Sequence, residues 1–462
     1  MSETAPVWFS TVHGLLVHPA TPRVLMARDD DGWVLPHVRL EERLWPPQVG
    51  GVTAALGREL GVPLTILRCV DVQTADTSAP STDVTYVLES RAPLGELRGG
   101  GAWIERAALV GLSPRMARQR AAIEACLDEA EGGPVPAVRP PWAWPGWFAG
   151  AARWMEEQLA RRGTPCVGSV AQLKTWGISC VLRVRTTAGD VYFKAASSGA
   201  LFADEPALTA ALAALYPTHV PLPLAVDRAR GWMLLADVGP TLDTAAGGDD
   251  AAVRAGWLGT FGQLQRAAAG RVDTLLAVGC VDRRLQRLAA QVEPLLGDTA
   301  ALAGPDGLDG AEIARLRALG PRLRAMCGAL AGYGVPQTLV HGDLHSGNIA
   351  VRDGAYLYFD WTDGCVAHPF FDLPIVRYEA ERAARGEGAG EEWPGLLEGY
   401  LAPWTAYERL ERLREAWALA EPLGHLHQAI SYWHICASLE PGQRDFKGEL
   451  PERLRRLLGA LR

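Results

Sequence analysis

Five prolines crowded into one short segment set the strongest limit on how this chain folds. They occupy positions 134, 136, 140, 141 and 145, within EGGPVPAVRPPWAWPGW. Proline cannot supply the backbone N–H that a helix interior or a central strand requires. The segment therefore predicts a linker in a chain of 462 residues, which is longer than one core usually organises. We expect a first domain at 1–132, the linker at 133–145, and a second domain with a mixed part at 146–245 and a mainly helical part at 246–462.

Composition indicates a globular protein and disfavours several partners. Apolar residues make up 48% of the chain and charged residues 21%, and the formal net charge is -8 without a basic run. Such a chain is expected to bind neither nucleic acid nor an anionic membrane. The start, MSETAPVWFS, has no basic and apolar leader, no run of about 18 apolar residues occurs, and eight scattered cysteines form no C-x-x-C pair. These features predict a cytoplasmic protein with reduced thiols, and they leave its oligomeric state undetermined.

The first domain is expected to be mixed α/β. The runs VHGLLVHP and RVLMARD flank a turn at 19–22 and predict a hairpin, followed by strands near 65–72 and 83–89 and a helix near 114–130. After the linker, WFAGAARWMEEQLARRG predicts an amphipathic helix. Three short strand-like runs follow, GSVAQLKTW, SCVLRVRTT and VYFKAA, the last two joined as a hairpin, and then the helix DEPALTAALAALYP.

The loop LVHGDLHSGN at 339–348 is the segment with the clearest chemistry. Downstream of it, Asp353 and Gly354 form a two-residue turn between two alternating strands, which predicts a hairpin. Counting back from that turn places Asn348 opposite residue 359, so Asn348 and Asp360 meet at the open end of the hairpin. Asp343 precedes Asn348 by five residues and can approach the same point. One amide and two carboxylates are therefore expected to converge.

Such a convergence is typical of phosphoryl transfer. Oxygen ligands suit Mg²⁺, which usually keeps waters and bridges substrate phosphates. The reaction also needs a separate carboxylate to orient or deprotonate the attacking hydroxyl. We expect Asn348 and Asp360 to bind the metal and Asp343 to act as the base. The alternative is that these residues only cap turns, which is common for Asp and Asn.

A phosphotransferase also needs groups that hold the nucleotide. Lys194, in VYFK, is one of only three lysines and is expected to bind the α- and β-phosphates, with a solvated strand lysine as the alternative. Glu205 is expected to hold Lys194 in place, or else to stabilise the start of a helix. Ser179, near Gly177, lies where backbone N–H groups could cover phosphates. Leu235 to Val238 is expected to contact an adenine edge, or to be a plain strand and turn.

These residues resemble the aminoglycoside phosphotransferase and choline kinase superfamily. The resemblance is carried by LVHGDLHSGNIAV, YLYFDWTDGCVAHPFFDLP, VYFK and the helix at Glu205, across roughly residues 150 to 440. It implies a bilobal protein-kinase-like fold, with 146–245 as the N-lobe, 246–462 as the C-lobe and ATP between them, GTP being possible. It also implies the roles assigned above to Asp343, Asn348, Asp360 and Lys194. His341 and Asp372 are implied to brace the loop.

The first domain resembles a Nudix domain, which has an α/β/α fold. WVLPHV, QVGGVTAALGRELGVPL and GAWIERAAL match that fold in order and spacing. The Nudix box itself is broken, since Glu59 alone remains of its metal-binding carboxylates and Arg58 stands beside it. One such carboxylate should hold Mg²⁺ poorly. We expect no pyrophosphohydrolase activity from this domain, which would then serve as a binding or packing module.

The sequence thus predicts a small-molecule O-phosphotransferase whose acceptor is the hydroxyl of an aminoglycoside-like, sugar-like or amino-alcohol-like compound. The helix HLHQAISYWHICASLEP either lines the acceptor pocket or is an ordinary packed helix. The carboxylates of Asp363 and Glu379 are candidates for contacts with a cationic acceptor. One alternative is a regulatory pseudokinase that binds a nucleotide without transfer, paired with a Nudix-like ligand-binding domain. A protein kinase is disfavoured because no D-F-G and A-P-E segment follows Asp360.

Overall fold

The computed structural model describes residues 8–75, 80–94, 101–197, 199, 201–248, 250–304, 307–383, 392–440 and 448–461. Residues 1–7, where the sequence predicts no leader, lie outside the described residues. The chain divides into two compact units, Met1–Ser197 with Ser438–Asp445, and Ser198–Ala437 with Phe446–Arg462. The boundaries expected at 132, 145 and 245 stay predictions.

The N-terminal part of the first unit is mixed α/β, as predicted. Its strands form two sheets, of order β4-β1-β6-β5 and β3-β2-β7. The strands are β1 (Phe9–Leu16), β2 (Arg23–Asp29), β3 (Gly32–Val34), β4 (His37–Leu40), β5 (Leu64–Ala75), β6 (Ser81–Ser90) and β7 (Ala102–Glu105), and the helices are α1 (Gly50–Leu60) and α2 (Arg120–Ala130). The first sheet lies between two apolar clusters, one that includes Val52 and Leu56 of α1 and one that includes Ile123 and Leu127 of α2.

Two local predictions for this part are confirmed only in part. The first two strands exist, but β1 pairs with β4 and runs parallel to β6, whereas β2 pairs with β3 and β7; a single bridge, Val17 to Val24, joins the two segments. Because both edges of β1 are already occupied, it cannot form a hairpin with β2. The helix predicted from 114 begins at Arg120, since Pro114 starts a separate short 3₁₀ turn.

The rest of the first unit confirms the strand pattern after the linker. Helix α3 (Trp147–Arg161) precedes an antiparallel series of β8 (Ala171–Thr175), β9 (Ser179–Thr186) and β10 (Gly189–Ala196). Register pairs Phe193 with Leu182, as expected for the predicted hairpin. Trp147 and Trp154 of α3 contact the Phe193 ring at centroid distances of 5.9 and 5.8 Å. The apolar face of α3 therefore packs on one face of these strands.

Strand β8 is also tied to the N-terminal part by polar contacts. The amide N–H of Val49 donates to the carbonyl of Leu173 (2.9 Å). The buried Gln172 side chain accepts from Ile66 N (2.9 Å) and donates to Ile66 O (2.8 Å). One side chain thus satisfies both backbone groups of a residue in β5, where the register with β6 shifts. These bonds make the N-terminal sheet and β8 parts of one packed structure.

Replacing Gln172 with Ala is expected to lower the free energy of unfolding of the first unit by about 2–4 kcal/mol, because it leaves a buried N–H and a buried C=O without partners. Urea denaturation followed by tryptophan fluorescence measures this change. Gln158→Ala, on α3, is the control, with an expected change within about 0.5 kcal/mol. Equal midpoints for the two variants would contradict the assigned role of Gln172.

The second unit is mainly helical, as predicted. Its strands are β11 (Ala225–Asp227), β12 (Trp232–Ala236), β13 (Val281–Asp282), β14 (Thr338–Val340), β15 (Ile349–Arg352), β16 (Ala355–Tyr358) and β17 (Cys365–Ala367). Its helices are α4 (Glu205–Leu215), α5 (Ala251–Ala268), α6 (Val272–Ala277), α7 (Leu285–Gly297), α8 (Thr299–Leu302), α9 (Gly310–Leu330), α10 (Leu373–Ala383), α11 (Glu392–Leu401), α12 (Leu410–Ala437) and α13 (Glu449–Ala460). Among the described residues, no helix has the length and apolarity to cross a membrane.

One large apolar core supports the loops of the second unit. It includes the fully buried aromatic side chains of Trp257, Phe261, Trp361, Phe370 and Trp404. Trp361 follows directly after Asp360 and contacts the ring of His341 at 4.6 Å. Burial of such large side chains is the dominant stabilising term in a core of this kind. The segments that carry the candidate site are therefore anchored on a rigid base.

Candidate functional site

The hairpin that follows the loop has the predicted register. Arg352 pairs with Ala355 and Ala350 pairs with Leu357. One step further, the N–H of Phe359 donates to the carbonyl of Asn348 (3.1 Å). The turn residue Asp353 has a positive φ of 52°, which a two-residue hairpin turn requires. The hairpin therefore brings Asn348 beside residues 359 and 360.

Asn348 also contacts Asp343 directly. Its side-chain Nδ2 donates to the Asp343 carbonyl (2.9 Å) and to the Asp343 carboxylate (3.3 Å). Because the amide nitrogen makes both bonds, the amide oxygen of Asn348 is left as an acceptor site for a cation. The Asn348 side chain is buried, while the Asp343 side chain is 48% exposed. Asp343 is thus held by its neighbour and open to a substrate.

Asp360 lies in a strained conformation beside a second carboxylate. Its φ of 64° is unusual for a residue other than glycine, and such strain collects at functional sites. The hydroxyl of Thr362 lies 3.0 Å from Asp360 Oδ1 and 3.0 Å from Glu205 Oε2. A hydroxyl has one proton, so it can satisfy only one carboxylate at a time. Asp360 and Glu205 therefore share the hydroxyl of Thr362. Thr362 was not among the predicted site residues, although it stands only two residues after Asp360.

Asp372 braces the loop from below, as the sequence predicted. Its buried carboxylate accepts hydrogen bonds from the backbone N–H groups of His341 (3.0 Å) and Gly342 (2.8 Å) and from the Gln265 side chain (3.0 Å). Gly342 has a φ of 84°, and a Cβ there would lie 2.6 Å from the carbonyl oxygen of Asp363. Burial raises the pKa of Asp372 to about 7, and its carboxyl group accepts all three bonds. The loop backbone is thus held by a buried carboxyl acceptor and requires glycine at its closest approach.

His341 is the second brace, again as predicted. Its Nε2 lies 3.0 Å from the carbonyl of Phe359, and its ring is buried. Burial lowers the pKa of His341 to about 4, so the ring is neutral and donates its Nε2 proton to that carbonyl. The bond fixes the loop against the residue that precedes Asp360. This bond therefore helps to fix the position of the loop that carries Asp343 relative to Asp360.

His345 is a functional residue that the sequence analysis missed, although it stands inside the loop motif. Its Nε2 lies 3.4 Å from the Asp343 carboxylate. Burial would raise the pKa of Asp343, but this hydrogen bond and the charge of His345 lower it below the usual value. Burial by itself would lower the pKa of His345. The nearby carboxylates of Asp343, Glu379 and Asp360 outweigh this effect and raise the pKa to about 9.

One contact of His345 opposes its charged form. The N–H of Gly347 donates to Nδ1 of His345 (3.0 Å), which requires a lone pair there and favours the neutral ring. A neutral hydrogen bond contributes about 1 kcal/mol, less than a charge-assisted one, so the carboxylates prevail. His345 is therefore cationic near neutral pH and helps to keep Asp343 ionised. Glu379 accepts from Ser346 N and Oγ (both 3.0 Å), so it supports the loop.

The residues predicted to hold the nucleotide lie in both compact units. Lys194 is half-buried on β10, on the face opposite the buried Val191 and Phe193. The buried Ser179 begins β9, and its hydroxyl accepts from the indole N–H of Trp176 (2.6 Å). Leu235 lies in β12, and Val238 lies in the loop that follows this strand. Both residues are half-buried and lie in the second unit with Glu205. The meeting of Lys194 and Ser179 with the other site residues stays a prediction.

Helix α12 carries residues that pack against other helices and loops of the unit, and it also carries Tyr432, which interacts electrostatically with the loop residue Asp343. His427 is buried, and Arg283 donates to its carbonyl and to the Ser431 hydroxyl (both 2.7 Å). The contacts of His427 and Ser431 are those of an ordinary packed helix, which is one of the two alternatives that the sequence left open. Tyr432 instead interacts with Asp343; burial raises the pKa of its hydroxyl, and the charges of Asp343 and Glu449 raise it further. The raised pKa keeps the Tyr432 hydroxyl neutral.

The donor set fits a hard cation that also binds phosphate. In the described part of the chain, no group of three or more His, Cys, Asp or Glu side chains could hold a metal ion alone. One carboxylate and one amide oxygen, from Asp360 and Asn348, are instead the small set that Mg²⁺ uses together with waters and substrate phosphates. The residues present therefore fit the group that the sequence predicts.

The chain is similar to several solved structures. A choline/ethanolamine kinase family protein from Mesorhizobium loti is 18% identical, with a TM-score of 0.44 over 64% of this chain and 88% of that chain. A choline kinase from Streptococcus pneumoniae is 15% identical, with a TM-score of 0.47 over 68% and 99%. A macrolide 2′-phosphotransferase from Brachybacterium faecium is 20% identical, with a TM-score of 0.40 over 64% and 99%. Curated protein sequences give no match.

The family model is more decisive. The model of the phosphotransferase enzyme family, APH, matches residues 169–413, more than half of the chain. The matched span contains the loop, the hairpin, Lys194 and Glu205. It confirms the predicted superfamily, its kinase-like fold and the prediction that the protein is an enzyme, while the Nudix-like resemblance of the first domain stays a prediction. This chain belongs to the phosphotransferase enzyme family.

Proposed function

We propose that the protein transfers the γ-phosphate of ATP to a hydroxyl group of a small molecule, with Asp343 as the base. The observation that supports this most is the cluster of Asp343, Asn348 and Asp360, in which one carboxylate is exposed and the other two groups offer oxygens. Phosphoryl transfer depends on positioning and charge stabilisation more than on covalent chemistry. A rigid loop with a separate base and metal site meets both needs.

Each residue has a distinct part in this proposal. Asn348 and Asp360 would hold Mg²⁺, which when bound neutralises charge on the phosphates. Asp343 would accept the proton of the acceptor hydroxyl and orient its oxygen toward the phosphorus. Lys194 would bind the α- and β-phosphates with Glu205 as its predicted partner, and the hydroxyl of Thr362 would hold the carboxylate of Asp360. Leu235, Val238 and the backbone near Ser179 would contact the nucleotide; GTP is the alternative donor.

The surroundings of Asp343 favour an acceptor that carries a positive charge. Tyr432 interacts with the carboxylates of Asp343, Asp363 and Glu449, and Arg453 lies over its ring at 5.4 Å. Arg453 already takes the cation position at this ring, so the attraction for an ammonium group would come from the carboxylates. Amino-alcohol-like and aminoglycoside-like acceptors therefore fit better than a neutral sugar. Asp363 is a predicted acidic contact for such an acceptor, and Glu379 accepts hydrogen bonds from Ser346.

Calorimetry with ATP tests the metal and nucleotide parts of the proposal. Binding is expected to be strong with Mg²⁺ and weak with EDTA, and Asp360→Ala should remove this difference because it deletes a metal ligand. Equal ATP affinity under both conditions would contradict the assignment of Asn348 and Asp360. Binding of GTP but not ATP would identify GTP as the phosphate donor in place of ATP. A screen of hydroxyl acceptors for ADP release then identifies the substrate class.

Removing His345 is expected to shift the pH dependence of the reaction. His345 lowers the pKa of Asp343, so His345→Ala should raise that pKa and move the acidic limb of kcat/KM to higher pH. His345→Gln keeps a hydrogen-bond donor but no charge and should produce a smaller shift. Both profiles are measured with saturating Mg-ATP. An acidic limb at the wild-type position in His345→Ala would show that His345 does not control the base.

A further inference from the structure

A second candidate binding site lies in the first unit, at a cavity along α1. The cavity has a volume of about 520 Å³. One wall is α1 from Gly50 to its C-cap Gly61, and the other is the segment 169–173, which includes most of β8. Arg91 and Arg183 complete the lining. A cavity of this size accommodates a mononucleotide or a similar small ligand.

The charge of this cavity is opposite to that of the whole chain. Three arginines line it, Arg58 from α1, Arg91 after β6 and Arg183 from β9, and none of the described lining residues is acidic. The chain as a whole carries a net charge of -8. Glu59, the one carboxylate left from the Nudix-like box, is not part of the lining. The cavity is therefore a locally positive site in an acidic protein.

The three guanidinium groups are only weakly compensated by carboxylates. Arg58 donates to a carbonyl of its own helix (3.3 Å), and Arg91 donates to the carbonyl of Val170 (3.4 Å). Arg183 has an acidic neighbour, Asp190, at 3.9 Å, which is a long separation for an ion pair. Partial burial lowers the pKa of Arg91, although the charge of Glu89 raises it. The site thus retains unused capacity to bind negative charge.

Backbone hydrogen bonds and strand pairing place Arg91 and Arg183 near the end of α1 that carries Arg58. The N–H of Arg91 donates to the carbonyl of Pro63 (2.9 Å), just beyond the helix end that carries Arg58. The guanidinium of Arg91 reaches Val170, and the next residue, Ala171, pairs with Arg183 in the sheet. The small residues Ala54 and Gly57 line the cavity beside them, so a ligand can approach the helix closely.

We propose that this cavity binds a small phosphate-bearing molecule through Arg58, Arg91 and Arg183. One guanidinium group can donate two parallel N–H···O hydrogen bonds to the same phosphate or carboxylate group. Its planar fork fits these two anions better than others. Convergence of three such groups from separate elements favours a doubly charged phosphate over a single carboxylate. The site belongs to the N-terminal part of the molecule and is additional to the predicted nucleotide site around Lys194.

The test is a calorimetric titration of the full chain, in EDTA, with inorganic pyrophosphate, ribose 5-phosphate and citrate. Saturable binding of the two phosphates is expected. Arg58→Gln combined with Arg183→Gln should weaken it by about tenfold or more, because two charge-assisted contacts are lost. Both side chains are exposed, so the double variant should fold normally. Arg185→Gln, two residues along the same strand and outside the cavity, is the matched control and should bind as wild type.

A second control separates this site from the one proposed for the nucleotide. Lys194→Met should keep the pyrophosphate binding that the arginine double variant loses, because Lys194 does not line the cavity. Binding lost in Lys194→Met but kept in the arginine double variant would place the anion elsewhere and overturn the proposal. So would the absence of saturable heat at millimolar pyrophosphate, or equal binding by wild type and the double variant. Citrate binding as tight as that of pyrophosphate would overturn the specificity for phosphate.

Discussion

Replacing Asp343 with Asn is expected to lower kcat by about 10²- to 10⁴-fold while leaving the Kd for Mg-ATP unchanged. The amide keeps the size of the side chain but cannot accept the proton of the acceptor hydroxyl. Asp343 is well placed for that step because its carboxylate is 48% exposed and is held by Asn348 and His345. Steady-state ADP release and ATP calorimetry on the same preparation measure the two quantities.

The same variant separates the proposed enzyme from a regulatory pseudokinase. A protein that only senses a nucleotide has no use for a base, so its response to ATP would survive the substitution. Asp353→Asn, at the turn of the neighbouring hairpin, is the matched control, because asparagine tolerates the positive φ there. Activity that falls equally in both variants would point to damage of the hairpin and not to loss of a base.

Replacing Asp372 with Ala is expected to destabilise the second unit by about 3–5 kcal/mol. Three donors lose their shared acceptor, namely His341 N, Gly342 N and the Gln265 side chain, and all lie where water cannot easily replace it. Asp372→Asn should recover only part of this loss, since its amide group places another donor among donors. Activity should fall in both variants because the loop that carries Asp343 is no longer fixed.

Urea denaturation of the purified variants measures the loss of stability. The comparison is Asp309→Ala, which removes a helix N-cap from α9 in the same unit and should cost about 1 kcal/mol. If Asp372→Ala were no less stable than Asp309→Ala, the carboxylate would not be a major support of the loop. Circular dichroism of both variants shows whether the native secondary structure persists before denaturant is added.

The strand pairing of β1 and β2 could not be read from the sequence for a physical reason. The runs that form β1 and β2 were identified, but their pairing was not, because either strand could have joined the nearest segment or a distant one. The partner of β1, strand β6, is about 70 residues away and lies parallel to it. Alternation of apolar residues specifies the faces of a strand and not its neighbours. Pairing is decided by which arrangement buries both faces of the sheet.

The sequence by itself determined the fold of the hairpin and the composition of the loop at 339–348. The Asp353-Gly354 turn and the alternation around it encode the register within a few residues, so the meeting of Asn348 with Phe359 and Asp360 could be counted from the turn. The motif itself indicated the family. Local propensity and spacing are sufficient for features of this size.

Only the tertiary structure decided what surrounds that loop. Gln265 and Asp372 are 107 positions apart, and Thr362 and Glu205 are 157 apart, yet each pair is in hydrogen-bond contact. The approach of Tyr432 to Asp343 and the gathering of Arg58, Arg91 and Arg183 around one cavity are equally remote in sequence. Such contacts arise from packing of the whole core, whose loop-closure cost and burial are shared over many residues. No single segment of the chain therefore carries their signal.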